Sequence, residues 1–298
     1  MLHFSNSIEL LEKEKSGIAN RFHVEDLGEI HYVLGMSIKR NRRLRTLTIN
    51  QEKYLQGILK RLDMQNCKAV STPLEFGKKY EVLSEGENPV NVKQYQMAMG
   101  CLNYARLISQ PDLAVAVGTL SKFMAKPGLE HWRGVKRILR YIQGTLDYIL
   151  HFTTDGNDPT LSGYTDADWG VDIVTRRSTT GYIYQINGNT VSWYSKRQGC
   201  VARSTTEAEY VSLSTACQEG VWLRKLLDSI SITQQEPTII YEDNQGAIEL
   251  SRNPKFHSRT KHIDVAYHYV REKVRENIIS VNYCSSENML ADIFTKTT

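Results

Sequence analysis

The order of strand-like and helical segments after residue 156 limits the possible folds of this chain more than any other feature. A breaker cluster of Gly156, Asn157 and Pro159 indicates a domain boundary. Three strand patterns follow it, after which helical and strand patterns alternate. The predicted strands cover 161–167, 181–186, 190–196, 238–243 and 278–283, and the predicted helices cover 205–228, about 260–275 and a short segment from about 288. This order predicts an α/β fold in which helices pack against a mixed sheet.

The first half of the chain shows a hairpin pattern followed mainly by helical patterns. Alternating apolar residues at 30–38 predict a strand with one buried face, a basic turn follows at 39–43, and LTI at 47–49 begins the return strand. Asn50 is in position to cap a helix whose apolar stripe contains Tyr54, Ile58 and Leu62. The segment 63–92 is typical of a connection, and 93–148 is helical in pattern.

One predicted helix, within 131–145, carries a basic face beside its apolar stripe. The basic residues are Arg133, Lys136, Arg137 and Arg140. Two interpretations stay open for them. They form either an ordinary solvated face over a core stripe or a row of cations that bind nucleic-acid phosphates without sequence preference.

Composition narrows the class of protein. The 298 residues have a net charge of +4, which suits a nucleic-acid partner without requiring one. The five cysteines form no CxxC pair, which argues against a disulfide framework and favours a reducing intracellular compartment. His257, His262 and His268 with Cys284 match no zinc-finger spacing, so we interpret them as surface histidines on a helix. Apolar runs of membrane-spanning length and a signal-peptide pattern are both absent, so no membrane partner is expected.

Acidic residues fall where a mixed sheet brings strand ends and helix faces together. Asp166 lies near the end of the first strand, Asp243 ends the strand TIIYED, and Asp292 lies in the first turn of the last helix. The long helix offers either Glu207 or Glu209. Such carboxylates are suitable ligands for Mg²⁺, and a two-ion site of this kind activates water and stabilises the leaving oxygen of a phosphodiester.

Helical spacing distinguishes the two glutamates. From Glu209, the spacing leads along an apolar stripe that is expected to face the sheet: Leu213, Ala216, Leu223 and Leu227. From Glu207, it leads along a mixed side: Val211, Ser214, Val221 and Lys225. A carboxylate on a buried stripe needs a partner, so Glu209 is the better candidate. Asp166 and Asp168 stay undistinguished, because residues two apart on a strand share a face.

Seven segments in the second half resemble, in order, the ribonuclease H domain of copia-type LTR retrotransposon Pol polyproteins. They are YTDADWG (164–170), RRSTTGYI (176–183), VSWYSKRQ (191–198), RSTTEAEYVSL (203–213), IIYEDNQGAI (239–248), RTKHIDVAYHYVRE (259–272) and ENMLADIFTK (287–296).

The first half is similar to the end of the reverse transcriptase of the same polyproteins and to the connection that follows it. The segments concerned are FHVEDLGEIHYVLGMSIKR (22–40), STPL (71–74), YQMAMGCLNYARLISQPDLAVAV (95–117) and HWRGVKRILRYIQGT (131–145). The resemblance thus covers essentially the whole chain. It implies a reverse-transcriptase remnant with a palm hairpin and thumb at 1–84, a helical connection at 85–155 and a ribonuclease H domain at 156–298.

The resemblance also implies a function and a ligand set. The implied fold is a ribonuclease H-like, five-stranded mixed sheet flanked by helices, behind a partial palm and thumb and a helical connection. The implied metal ligands are Asp166, Glu209, Asp243 and Asp292, which would hold two Mg²⁺ ions, with Mn²⁺ as an alternative. The implied substrate is the RNA strand of an RNA–DNA hybrid, and a separate reverse transcriptase is an expected potential partner.

The sequence departs from the family pattern in two ways. The family's polymerase needs a Tyr-x-Asp-Asp turn just before its version of SNSIELLEKE, and the sequence begins at MLHFSNS, so polymerase activity is not expected from it. Many cellular ribonucleases H carry a mobile histidine shortly before the last aspartate, and YCSSENMLAD contains none. The alternative hypothesis is a catalytically silent or domesticated nucleic-acid-binding remnant.

Overall fold

The computed structural model describes residues 2–84, 86, 88–170, 175–252 and 261–296, with the backbone alone for 261–267. The first helix, α1 (Ile8–Ala19), begins where the Ser7 side chain accepts a hydrogen bond from the Leu10 backbone N–H. Helix α1 buries none of its residues. None of the helices in the described part of the chain is long and apolar enough to span a membrane.

The first sheet has the strand order β1-β2-β3-β4 and is antiparallel throughout. Its strands are β1 (Tyr32–Val33), β2 (Met36–Asn41), β3 (Thr46–Asn50) and β4 (Leu150–Thr153). The prediction of one strand over 30–38 is wrong, because Leu34 and Gly35 both have positive φ and reverse the chain between β1 and β2. The hairpin between β2 and β3 is confirmed, although its turn lies at 42–45 instead of 39–43.

The helices between β3 and β4 form a layer with a single hydrophobic core. It contains α2 (Glu52–Arg61), α3 (Val92–Ile108), a 3₁₀ turn (Pro111–Leu113), α4 (Ala114–Ser121) and α5 (Leu129–Gly144). Leu55, Leu102 and Leu139 are fully buried members of that core. Gln51 holds the N-cap position of α2 without a side-chain hydrogen bond, whereas the side-chain oxygen of the predicted cap, Asn50 at the end of β3, accepts from the Glu52 backbone N–H at 3.3 Å.

The second sheet has the strand order β7-β6-β5-β8-β9. Its strands are β5 (Leu161–Ala167), β6 (Thr179–Ile186), β7 (Asn189–Arg197), β8 (Thr238–Glu242) and β9 (Ile279–Tyr283). Strands β7, β6 and β5 pair antiparallel, while β8 and β9 run parallel to β5. The predicted five-stranded mixed sheet of the ribonuclease H type is therefore confirmed.

Helices cover one face of this sheet. They are α6 (Thr205–Ser229), α7 (Gln245–Arg252) and α8 (Lys261–Arg275), of which α7 was not predicted. Tyr184 of β6 is fully buried under α6, and its hydroxyl donates to the Ala216 carbonyl at 2.6 Å. In place of the predicted last helix, the chain forms two 3₁₀ turns, Ser286–Asn288 and Leu290–Phe294.

The other face of the second sheet packs against the first half of the chain. Ala114 of α4, Ile183 of β6 and Phe294 form a buried cluster with Trp193 beside it. The Trp193 indole N–H donates to the Arg106 carbonyl at 2.8 Å, which ties β7 to α3. Strand β4, which ends at Thr153, pairs in the first sheet, and β5, which begins at Leu161, pairs in the second. The two sheets are therefore separate. The domain limits 1–84, 85–155 and 156–298 stay predictions.

Candidate metal centre

Asp166 lies near the end of β5, on the side of the strand that faces the C-terminal segment of the chain. Its side chain is only 3% exposed and accepts a hydrogen bond from the Thr295 hydroxyl. Gly181, which pairs with Asp166 across the sheet, makes this approach possible. A Cβ atom at Gly181 would lie 2.7 Å from the Thr295 methyl and 2.9 Å from the Phe294 Cβ. Burial raises the pKa of the Asp166 carboxyl above its usual range, and the Thr295 hydroxyl opposes that rise.

Glu209 lies on the face of α6 that is buried against the sheet. The predicted burial of its stripe is confirmed, because all four apolar residues on it are buried: Leu213, Ala216, Leu223 and Leu227. Burial, together with the charges of Asp166 and Asp243, raises the pKa of Glu209 to about 9. Its Oε2 atom is buried and has no hydrogen-bond partner among the described residues.

Asp243 directly follows β8, which brings it to the same sheet edge as the end of β5. Its Oδ2 atom accepts a hydrogen bond of 2.7 Å from the Ser286 hydroxyl. Carboxylate oxygens of Asp166, Glu209 and Asp243 all lie within 4.8 Å of one another. Three elements that are distant in sequence thus bring three carboxylates to one point.

Asp292 lies beside this group of three without being part of it. The Lys296 ammonium is 2.6 Å from Asp292 Oδ1 and 3.9 Å from Asp166 Oδ1, so it lies between the two carboxylates. The charge of Asp292 also contributes to the raised pKa of Asp166. The structure therefore brings three of the four predicted ligands together and connects the fourth to them through a lysine.

Asp168 and Glu207, the two other acids considered as ligands, accept hydrogen bonds from the backbone. The Asp168 carboxylate accepts a hydrogen bond from the Thr179 backbone N–H, beyond the end of β5. Glu207 is buried although its helix side is mixed; its Oε2 accepts from the Arg203 backbone N–H at 3.0 Å, while its buried Oε1 has no hydrogen-bond partner among the described residues. The Ser204 hydroxyl accepts from the Glu207 backbone N–H at 3.2 Å and so caps the start of α6.

Several residues near the centre were missed by sequence reasoning. Glu242 is fully buried, and burial together with the neighbouring Glu209 charge raises its pKa well above the usual range. Ser212 donates to the Asp166 backbone carbonyl at 2.7 Å, which holds the end of β5 against α6. Burial alternates along β8 at Thr238, Ile240 and Glu242, so the strand period could have identified Glu242.

The donor set fits a divalent metal ion. All its potential ligand atoms are carboxylate oxygens, which hard cations such as Mg²⁺ and Mn²⁺ prefer. The buried Oε2 atom of Glu209 without a partner is costly in the metal-free protein, and an ion would satisfy it. His257 and the side chains of the KHID segment at 261–264, including His262, lie outside what the structure describes.

The basic face of α5 divides into two kinds of residue. Arg137 donates to the Thr72 hydroxyl at 3.0 Å and Arg140 donates to the Lys68 carbonyl at 2.7 Å, so both hold the preceding segment against α5. Arg133 forms an ion pair with Glu130 in the helix, and Lys136 is exposed. Their predicted role in nucleic-acid binding stays a prediction.

The sheet order and the position of the acidic cluster define a ribonuclease H-like domain. The chain is 44% identical over 295 residues to the "Retrovirus-related Pol polyprotein from transposon TNT 1-94" of Nicotiana tabacum, a match that covers 96% of this chain and 22% of the polyprotein. It is 38% identical over 291 residues to the corresponding polyprotein from transposon RE2 of Arabidopsis thaliana, covering 98% of this chain and 20% of that protein. The chain belongs to the family of retrovirus-related Pol polyproteins of plant transposons.

A shorter relative matches over most of its own length. An uncharacterized mitochondrial protein of Arabidopsis thaliana is 35% identical over 205 residues, which is 69% of this chain and 83% of that protein. A comparison with protein-family models gave no match. The chain spans only about a fifth of the length of the two transposon polyproteins.

Two solved structures match the chain at low sequence identity. A foamy viral protease-reverse transcriptase in complex with RNA/DNA hybrid is 15% identical, with a TM-score of 0.47, and covers 86% of this chain and 29% of that chain. A ribonuclease H1 isolated from compost is 16% identical, with a TM-score of 0.35, and covers 46% of this chain and 92% of that chain. Both TM-scores are below 0.5, so the fold is defined by the strand order and helix positions of this chain itself.

Proposed function

We propose that residues 156–298 form a metal-dependent ribonuclease H that hydrolyses the RNA strand of RNA–DNA hybrids. The observation that carries this proposal is the meeting of three carboxylates, from β5, α6 and the end of β8, within 4.8 Å. Membership of the Pol polyprotein family supports it. Acids placed this closely repel one another unless cations neutralise them, and cleavage of a phosphodiester is chemistry that such cations assist.

Asp166, Glu209 and Asp243 would hold the first ion, and Asp166 with Asp292 would hold a second. Mg²⁺ is the expected ion, with Mn²⁺ as an alternative, because all donors are oxygens. When bound, the ions activate water and stabilise the leaving oxygen of the phosphodiester. Oxygen donors on three separate elements can meet an ion from several directions without rearrangement of the sheet.

The surrounding residues keep these donors in place. The Thr295 hydroxyl fixes one oxygen of Asp166, and the Ser286 hydroxyl fixes Oδ2 of Asp243. Ser212 holds the Asp166 backbone to α6. Carboxylates held in this way lose little freedom when an ion and a phosphate arrive, which favours binding in the reactive arrangement.

The proposed nuclease would select an RNA–DNA hybrid over other duplexes. The 2′-hydroxyl groups of the RNA strand are the feature that distinguishes it from DNA at such a site. Basic residues of α5, Arg133 and Lys136 first among them, would contact phosphates of the duplex at a distance from the cut. A separate reverse transcriptase would supply the hybrid, since hybrids are the product of copying RNA into DNA.

Cleavage of end-labelled duplexes by the full 298-residue chain tests the proposal. We expect cleavage of the RNA strand of a hybrid in Mg²⁺, no cleavage after chelation, and no cleavage of double-stranded DNA. Asp243→Asn keeps the shape of the side chain and should abolish cleavage. Glu207→Gln is the matched control, because the glutamine side-chain oxygen can accept the same hydrogen bond from the Arg203 backbone N–H.

Two results would refute the nuclease proposal. Asp243→Asn could cleave as well as the parent in Mg²⁺, which would show that the carboxylate cluster is not the active site. The parent could instead bind hybrid without cutting it in either Mg²⁺ or Mn²⁺, which would favour the silent, nucleic-acid-binding alternative.

A further inference from the structure

The Lys296 ammonium occupies space within the acidic cluster. Its Nζ atom is 2.6 Å from Asp292 Oδ1 and 3.9 Å from Asp166 Oδ1. A single cation of the chain itself therefore contacts Asp292 and lies close to Asp166. These are the two carboxylates that would hold the second metal ion.

The local fold holds Lys296 in this position. Its backbone N–H donates to the Asp292 carbonyl at 2.8 Å, and the neighbouring Thr295 hydroxyl donates to Asp166. The Lys296 side chain also lines a small cavity with Leu74 and Ala116 from the first half of the chain. The backbone at Lys296 is thus fixed beside the carboxylates, within reach of the flexible side chain.

The Lys296 ammonium and an incoming metal ion exclude each other from this site, because both are cations and both need the same space. The ammonium offsets part of the negative charge of the metal-free cluster, which would otherwise be left to mutual repulsion. A divalent ion between Asp166 and Asp292 would compete with the ammonium for the charge of Asp292, whose Oδ1 atom Lys296 now contacts at 2.6 Å. The Lys296 side chain is 49% exposed, so it can withdraw into solvent when an ion arrives.

We propose that Lys296 is a tethered competitor of the second metal ion. It neutralises Asp166 and Asp292 while the site is free of metal, and the second ion must displace it. Lys296 thereby sets the concentration of Mg²⁺ at which the site fills. This inference rests on the proposed function, because it concerns the same site. Lys296 would act on the metal ion only through its contacts with the carboxylates of Asp166 and Asp292.

The test follows Mg²⁺ binding by the full chain through the rise of its melting temperature. Lys296→Met keeps most of the side-chain length and removes the charge, whereas Lys296→Arg keeps the charge. Lys225→Met is the matched control. It removes the same charge from an exposed position on α6, sixteen residues beyond Glu209 and therefore about 24 Å along the helix.

Lys296→Met should melt at a lower temperature than the parent without metal, because the carboxylates lose their counter-charge. It should reach half of its Mg²⁺-induced shift at an Mg²⁺ concentration about fivefold lower than the parent, the low end of typical coupling between sites. Lys296→Arg and Lys225→Met should follow the parent. A half-saturating concentration that is unchanged or higher in Lys296→Met would overturn the proposal.

The parent protein reports separately on the proposed function. Hybrid cleavage by the parent together with an unchanged titration of Lys296→Met would refute the competitor role alone. Mg²⁺ binding by the parent without cleavage would refute the nuclease activity, while the lower half-saturation of Lys296→Met would still support competition. A parent whose melting temperature does not respond to Mg²⁺ would overturn both.

Discussion

Glu209→Gln should stabilise the metal-free protein at neutral pH, although it removes a proposed ligand. The pKa of Glu209 in the folded protein is about 9, against a usual value of 4.5, because the carboxyl is buried beside Asp166 and Asp243. The folded state therefore binds a proton more tightly than the unfolded state does. The contribution of Glu209 to the free energy of unfolding is then highest below about pH 4.5 and falls as the pH rises toward 9.

The size of the effect follows from the difference between these two pKa values. Each pH unit between them costs about 1.4 kcal/mol, so the parent loses on the order of 3 kcal/mol between pH 4.5 and pH 7 through Glu209 alone. Glutamine has nearly the same shape and does not ionise. Glu209→Gln should therefore exceed the parent in free energy of unfolding by about that amount at pH 7 and match it near pH 4.5.

Urea unfolding in a chelator at several pH values between 4.5 and 8.5 measures this difference. Glu207→Gln on the same helix should follow the parent, since glutamine can accept the same hydrogen bond from the Arg203 backbone N–H. Addition of Mg²⁺ should make the parent more stable than Glu209→Gln, because the ion raises the free energy of unfolding of the parent more than that of the variant. The reasoning fails if the metal-free parent shows no decline between pH 4.5 and 8.5, or if Glu209→Gln is no more stable than the parent at pH 7.

Two further predictions concern the surroundings of the site. The double variant Arg133→Ala with Lys136→Ala should weaken hybrid binding and lower the slope of log Kd against log salt concentration by about one unit per lost phosphate contact, as measured by fluorescence anisotropy. The double variant Arg137→Ala with Arg140→Ala should instead lower the free energy of unfolding. An unchanged salt dependence in the first variant would show that α5 presents an ordinary solvated face. Tyr184→Phe removes a buried hydrogen bond to α6 and should cost about 1 kcal/mol in urea unfolding with cleavage retained, and a loss of cleavage in the folded variant would contradict this purely structural role.

The second sheet could be predicted largely from the sequence because its strands carry clear patterns. The predicted strand at 161–167 has the observed bounds of β5, and the predicted strand at 190–196 lies one residue inside β7 at each end. Helix α7 has only eight residues, which gives too short a pattern to identify it by periodicity. The alternation at 30–38 was misleading because it continued across the turn at Leu34 and Gly35, where the backbone conformation and not the pattern ends the strand.

Some features of the candidate site could also be predicted from the sequence, and others could not. Periodicity along α6 predicted the buried stripe that contains Glu209, because burial of a helix face follows directly from the sequence. The burial of Glu207 was missed even though Ser204 three residues earlier forms a recognisable capping-box pattern with it. The position of Lys296 could not be predicted, because it depends on the close approach of the C-terminal segment to Gly181, which only the folded chain defines.

Cleavage of a hybrid by Asp166→Asn and Asp168→Asn, compared in Mg²⁺, tests the central claim most directly. Both changes replace one carboxylate by an amide, and the two positions are only two residues apart. Asp166 lies in the carboxylate group, whereas the Asp168 side chain accepts a backbone hydrogen bond that asparagine can also accept. We expect Asp166→Asn to abolish cleavage and Asp168→Asn to retain it. Cleavage at the parental rate by Asp166→Asn would contradict the account.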